Sequence, residues 1–240
     1  MRFDQLLQSQ GLGSRSECRR MIEYGRVTVG DMGFVRDPRS EFHVDGFRFS
    51  IDGCEHEFRR QVYIVMNKPA AYECSHRPDR YPSIFALLPP ELIRRGVQAV
   101  GRLDSDTTGL LLLSDDGQFI HSLTSPNRTV TKCYEVLARH PVDDVQLGKL
   151  EAGVVLRDDP EPVRATQCER VSENVVRMSV TEGRYHLVKR MVAASGNRVE
   201  HLRRLAIGGF ELPSSLAPGA WRWLETAELK LLGWNAAVED

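Results

Sequence analysis

The sequence contains no stretch approaching the ~20 consecutive apolar residues that a membrane-spanning helix needs. Its first twenty residues are polar and arginine-rich and lack the apolar segment of a signal peptide, so secretion is not expected. Cysteine is scarce: there are five, at positions 18, 54, 74, 133 and 168, an odd and scattered set with no Cys-x-x-Cys. That pattern argues against a disulfide framework or a cysteine zinc site, and it fits reduced thiols in a cytosol. No internal repeat and no low-complexity tract is present. Net charge is almost absent as well, at −1, so the overall balance carries no sign of a nucleic-acid partner.

What is present is an ordinary globular composition, 41% hydrophobic and 27% charged over 240 residues. That length exceeds the rough 100–200 residues of one domain, so one large or two unequal domains are expected. The charge is unevenly spread. Residues 184 to 204 hold Arg184, Lys189, Arg190, Arg198, Arg203 and Arg204 against the single acid Glu200, whereas residues 135 to 161 hold seven acids against three bases. Such asymmetry predicts a basic face and an acidic face, unless the runs are ordinary solvated helix surface.

The first fifty-odd residues predict a small helix-helix-strand unit. Phe3, Leu6 and Leu7 have helical spacing, and "GLG" at 11 to 13 breaks the helix. Ser14 with Glu17 then predicts a capping box opening a second helix that Gly25 closes. "RVTVG" alternates as a strand, shorter strands follow through Ile51, and residues 52 to 61 read as a polar connector. From Val62 the pattern changes. "VYIVMNKP" predicts a strand, "SHRPDRYP" a mobile loop, and "SIFALLPPELI" a short helix interrupted by its proline pair. "VQAVGRLD", "LLLLS", "TKCYEVLA" and "VVRMSVTEG" predict further strands, with helices over "QFIHSLTSP" and "GRYHLVKRMVAASGN". Strands with intervening helices but no strict βαβ alternation predict an α+β fold around a mixed or antiparallel sheet. The expected boundaries are 1–58 for the small N-terminal domain and 59–240 for the larger one.

The chemistry concentrates in "GRLDSDTTGLLLLSDDG", residues 101 to 117, where Arg102, Asp104 and Asp106 precede a leucine run that looks like a core strand. Three chemistries place carboxylates at a strand mouth. Asp104, Asp106, Asp115 and Asp116 would suit metal-dependent phosphoryl chemistry, although Asp115-Asp116-Gly117 is also a plain turn signature and no histidine ligand pattern accompanies it. An aspartate pair would suit glycosidic acid–base work, with a separation that sequence does not fix. A single carboxylate nucleophile held by a basic partner would suit an RNA-modifying site. Alternatively, Arg102 and Asp104 simply satisfy each other beside a turn.

Two resemblances narrow this choice. "RFDQLLQSQGLGSRSECRRMIEYGRVTVG" resembles the S4 domain, a small RNA-binding module, with Gly30-Asp31 where many S4 modules carry Asn-Gly. "GRLDSDTTGLLLLSDDG" resembles the signature of the pseudouridine synthases, specifically the RsuA branch that modifies ribosomal RNA. "NKP" at 67 to 69, "KCYEV" at 132 to 136 and "GRYHLVKRM" at 183 to 191 resemble the other motifs of that branch, in the same order. The sequence departs from it at Leu187, where Gln is usual, and at Ala206, where Arg is common.

The resemblance implies an isomerase that converts uridine to pseudouridine in rRNA without cofactor or metal, in the cytoplasm, as a monomer. Its details favour the small-subunit branch and 16S rRNA. The alternatives are the same chemistry on 23S rRNA, or a non-catalytic S4-type RNA-binding protein. By the resemblance Asp104 is the nucleophile, attacking base or ribose, Lys189 its basic partner and Tyr134 the stacking aromatic. It implies RNA contacts for Arg102, Lys68, Arg184, His186 and Arg190, and phosphate contacts in the S4-like unit for Arg15, Arg19, Arg20 and Arg26.

Overall fold

The computed structural model describes residues 1–157 and 159–235 as two compact units, one of 1–62 with 88–98, the other of 63–87 with 99 onward. In the first unit α1 (Phe3–Ser9) and α2 (Arg15–Glu23) lead into a four-stranded sheet. Its strands are β1 (Val27–Val29), β2 (Gly33–Phe34), β3 (Arg48–Ile51) and β4 (Cys54–Glu57). The capping box forms as the sequence predicts: the Ser14 hydroxyl accepts from Glu17 N–H, and the Glu17 carboxylate accepts from Ser14 N–H at 2.7 Å. The polar connector is instead a strand. Asp52 in the left-handed region and Gly53 turn the chain so that β4 runs back along β3. A core forms despite the unit's size because Phe3 gathers Phe42, Phe47 and Phe49 around it, with ring centroids 4.8 to 6.4 Å away. The segment 88–98 belongs to this unit and carries α3 (Pro90–Arg94), whose Arg94 donates to Gly11 carbonyl.

The second unit is built on one nine-stranded mixed sheet. Its strands are β5 (Tyr63–Lys68), β6 (Gln98–Val100), β7 (Thr108–Ser114), β8 (Lys132–Ala138), β11 (Gln167–Arg170), β12 (Val175–Val180), β13 (Val199–Ile207), β14 (Phe210–Glu211) and β15 (Trp221–Trp223). The main path is β11-β12-β8-β13-β7-β5-β15, with β6 beside β7 and β14 beside β13. The β13–β7 pairing is parallel, whereas β11–β12, β12–β8, β8–β13, β13–β14, β7–β5 and β5–β15 are antiparallel. A separate hairpin, β9 (Val154–Leu156) with β10 (Asp159–Val163), stands beside it.

Leu110 to Leu113 are all fully buried, so β7 is covered on both faces, which is why its apolar residues run without alternation. Leu110 and Leu112 pack with α4 (Gly117–Thr124) and α7 (Thr226–Leu231). Elsewhere α5 (Asp144–Ala152) and α6 (Leu187–Ala194) pack on β8, β12 and β13 through Leu150, Val188, Met191, Val136 and Met178. Leu187 lies in that core, so the departure at this position is an apolar packing choice.

Candidate active site

Asp104 sits in the loop 101–107 that enters β7. Gly101, at φ +70°, and Gly109, at φ +99°, bracket it with backbone angles that side chains disfavour. Gly109 has a second reason: a Cβ there would lie 2.3 Å from Arg204 carbonyl oxygen on the parallel neighbour β13. The loop is therefore held against β13 at the point where β7 begins.

Two side chains at the start of α6 meet the Asp104 carboxylate. Lys189 Nζ donates to Oδ2 at 3.0 Å, and His186 Nε2 lies 3.0 Å from Oδ1. Lys189 also donates to Asp106 at 2.6 Å. The Asp104 side chain is 26% exposed, so it is held from one side and reachable from the other. Burial tends to discharge Lys189, but its hydrogen bonds to Asp106 and Asp104 and their charges outweigh it and raise its pKa above the ordinary lysine value. It stays a cation. For Asp106, burial is likewise opposed and outweighed by Lys189, which holds that carboxyl below its usual range.

His186 is the residue whose place the sequence did not foretell. It was expected to meet RNA, and instead its ring reaches the candidate nucleophile. Its backbone is left-handed (φ +51°, ψ 28°) immediately before α6, a conformation that histidine tolerates better than bulky apolar residues do. Its side chain makes no capping hydrogen bond; it is turned to Asp104 and stacks on exposed Tyr185, centroids 3.7 Å apart. Helical spacing gives no signal for it, because His186 precedes α6 in a left-handed conformation.

Other expected residues fall differently. Tyr134, on β8, packs at the edge of the cluster that α6 covers, and cross-strand register puts it in one row with Arg204 and Gly109. Arg102 is exposed, two residues before Asp104. Lys68 corrects an expectation. It is fully buried, its ammonium donates to the carbonyls of Pro69 (2.9 Å), Ser105 (3.3 Å) and Thr107 (2.9 Å), and it offers nothing to RNA. Burial lowers its pKa, with the charges of Asp106 and Asp104 acting in the other direction. Lys68 thus braces the Asp104 loop from beneath.

Arg184 is paired with Asp159 and with Glu182 at 2.7 Å, and Arg190 donates to Tyr185 carbonyl at 3.2 Å. Arg204 is 2% exposed and donates to the carbonyls of Leu110 and Gly101. The run 184 to 204 is therefore not one basic face. The acidic run dissolves in the same way: Asp143 caps α5, Asp144 pairs with Arg170 and Asp159 with Arg184, while Asp158 lies outside the described residues. Asp116 is structural, capping α4 and accepting from Tyr63 hydroxyl at 2.7 Å. Among the described residues no group of three or more His, Cys, Asp or Glu side chains is placed to hold a metal ion.

In the first unit Arg15 and Arg19 turn their Nε atoms to buried Asp4, and Arg20 is exposed. Arg26 is closed on Asp52 through both carboxylate oxygens, so its fork is already used.

Comparison with known proteins agrees with this layout. The pattern of the RNA pseudouridylate synthase family matches residues 62–194, and that of the S4 domain matches 1–31. The chain belongs to the RNA pseudouridylate synthase family. It is 37% identical over 242 residues to a protein of Yersinia pestis named ribosomal small subunit pseudouridine synthase A, covering 97% of this chain and 98% of that one. An uncharacterised RNA pseudouridine synthase of Bacillus subtilis is also 37% identical, over 97% of this chain and 98% of its own length. A crystal structure described as a pseudouridylate synthase superimposes with a TM-score of 0.68 at 32% identity, covering 97% of this chain and 99% of that one. As a pseudouridine synthase the chain is an enzyme, an isomerase of uridine in RNA, with an S4 domain at its N-terminal end.

Proposed function

We propose that Asp104 is the nucleophile of this pseudouridine synthase, that Lys189 is its basic partner, and that Tyr134 stacks on the flipped uracil. The observation that carries this reading is the Asp104 carboxylate, bound by Lys189 and His186 at 3.0 Å each and still open to solvent. A carboxylate attacks only when ionised, and burial alone would favour its protonated form. A fixed ammonium at hydrogen-bond distance opposes that. Attack at the ribose C1′ or at the uracil ring leads to cleavage of the N1–C1′ bond. The uracil turns, C5 bonds to C1′, the bond to Asp104 breaks, the C5 proton leaves and N1 takes one up, so the composition is unchanged. Stacking of the extruded base on an aromatic ring is worth about 1–3 kcal/mol. In this reading Arg102, exposed two residues before the nucleophile, occupies the gap that the base leaves.

The proposed substrate is small-subunit ribosomal RNA, met in the cytoplasm by a single copy of the chain. Full-length similarity to proteins named ribosomal small subunit pseudouridine synthase A supports this target. Asp104, His186 and Lys189 all come from one chain, so catalysis calls for no second copy.

The test is a pair of near-isosteric variants. Asp104→Asn is expected to lose all turnover while keeping its fold and RNA affinity. Asp106→Asn, which removes only the more exposed partner of Lys189, is expected to retain part of it. Exchange of these two phenotypes would reassign the nucleophile to Asp106.

A further inference from the structure

The first unit contains an arrangement that stability alone does not explain. Asp4, on α1, is fully buried, and three arginines converge on its Oδ2: Arg19 Nε at 2.9 Å, Arg2 Nη2 at 3.1 Å and Arg15 Nε at 3.2 Å. Its other oxygen, Oδ1, is buried with no partner. Three cations on one carboxylate leave the cluster with a net charge of +2, and the guanidinium groups repel one another. Separate one-to-one pairs would satisfy the same charges at less cost. Burial pushes Asp4 toward protonation, yet the hydrogen bonds from Arg19 and Arg15 and the charge of Arg2 outweigh it and hold the carboxyl below its usual value.

The way the arginines are bound matters. Arg15 and Arg19 both use Nε, the inner nitrogen, and among the described residues neither donates a hydrogen bond from an Nη. Their side chains remain 47% and 43% exposed. They lie four apart on α2, so their outer edges are neighbours on one helix face. Each guanidinium is anchored at its base and open at its tip, and the tip is the edge that binds a phosphate bidentately.

We propose that Asp4 is a positioning residue whose buried carboxylate sets Arg15 and Arg19 as a fixed pair for RNA phosphate. The proposal rests on reading the S4 unit as RNA-binding and assigns the acid that organises it. A count of charges gives the opposite expectation, because removing a carboxylate from a protein ordinarily strengthens its hold on a polyanion.

The experiment measures, with the full chain, affinity for an unmodified small-subunit rRNA transcript against salt concentration, together with kcat and KM for uridine conversion. Asp4→Asn is expected to bind about tenfold more weakly, the loss of one charge-assisted contact. KM should rise while kcat at saturating RNA is kept. A double variant, Arg15→Lys with Arg19→Lys, keeps every charge but has no guanidinium to divide between Asp4 and phosphate; it too should bind several-fold more weakly. Glu23→Gln, removing an exposed acid of α2, should bind at least as tightly as the unchanged chain. Should Asp4→Asn fail to fold, the lysine pair, altered only at half-exposed side chains, decides alone. Unchanged affinity in the lysine pair, or equal or tighter binding by a folded Asp4→Asn, overturns the proposal. If the unchanged chain neither binds nor converts the transcript, the functional reading fails with it. If it does both and the variants match it, only the role of Asp4 fails.

Discussion

At the scale of single residues, function turns on which charged groups are free to act and which are already spent. Asp104 and Lys189 were legible in the sequence because their motifs are specific, and the structure brings them to 3.0 Å. Lys68 was misread for a physical reason: a lone lysine is almost never fully buried, so the sequence suggests a surface cation. Here three backbone carbonyls replace its water, two of them flanking Asp106 in the nucleophile loop. Lys68→Met removes those donors and strands the carbonyls, at a cost of about 1–3 kcal/mol of stability. We expect a lowered unfolding midpoint and a lower kcat with RNA affinity unchanged. Weakened RNA binding with normal stability would instead restore Lys68 to the RNA-contact set. His186 escaped for another reason. Its role depends on a left-handed turn before α6 that no residue pattern announces.

At the scale of elements, caps and periodicity carried well. The capping box of α2, the strand β7 and the helix α4 follow from local patterns. What was missed lies where tertiary context overrides pattern. The central strand β13 carries Arg198's neighbours Glu200, His201, Arg203 and Arg204, and so reads as charged surface. It is a strand because Leu202 and Ile207 enter the core while Arg204 satisfies two carbonyls within the sheet. The loop 75–82, expected to be mobile, is braced instead: the Glu73 carboxylate accepts from the N–H groups of Asp79, Arg80 and Tyr81. β7 and β13 approach each other closely at Gly109. Gly109→Ala places a Cβ 2.3 Å from Arg204 carbonyl oxygen at φ +99°. Strain of this kind costs about 1–3 kcal/mol, and denaturant unfolding should show at least that loss. Gly117→Ala, with open space around it at the start of α4, should be neutral or stabilising in the same assay. Equal stabilities for the two variants would mean that the β7–β13 contact is not a constraint.

At the scale of the whole molecule, two compact units divide the work: a small S4 unit whose arginines are organised around Asp4, and a catalytic unit whose sheet delivers Asp104 to the start of α6. The broad charge asymmetry seen in sequence does not survive folding, because most of the 184–204 bases and several of the 135–161 acids are paired internally or buried. We therefore expect recognition by this enzyme to rest on a few placed groups rather than on a charged face. Phosphate contacts position a protein on RNA without reading sequence, so we expect the choice of one uridine to come from RNA shape around the Asp104 site. The most direct test of that account is to incubate the purified chain with unmodified small-subunit and large-subunit rRNA transcripts and map pseudouridine at nucleotide resolution. One small-subunit uridine should be converted, with none converted by the Asp104→Asn variant. Conversion confined to the large-subunit transcript, or any conversion by Asp104→Asn, would contradict it.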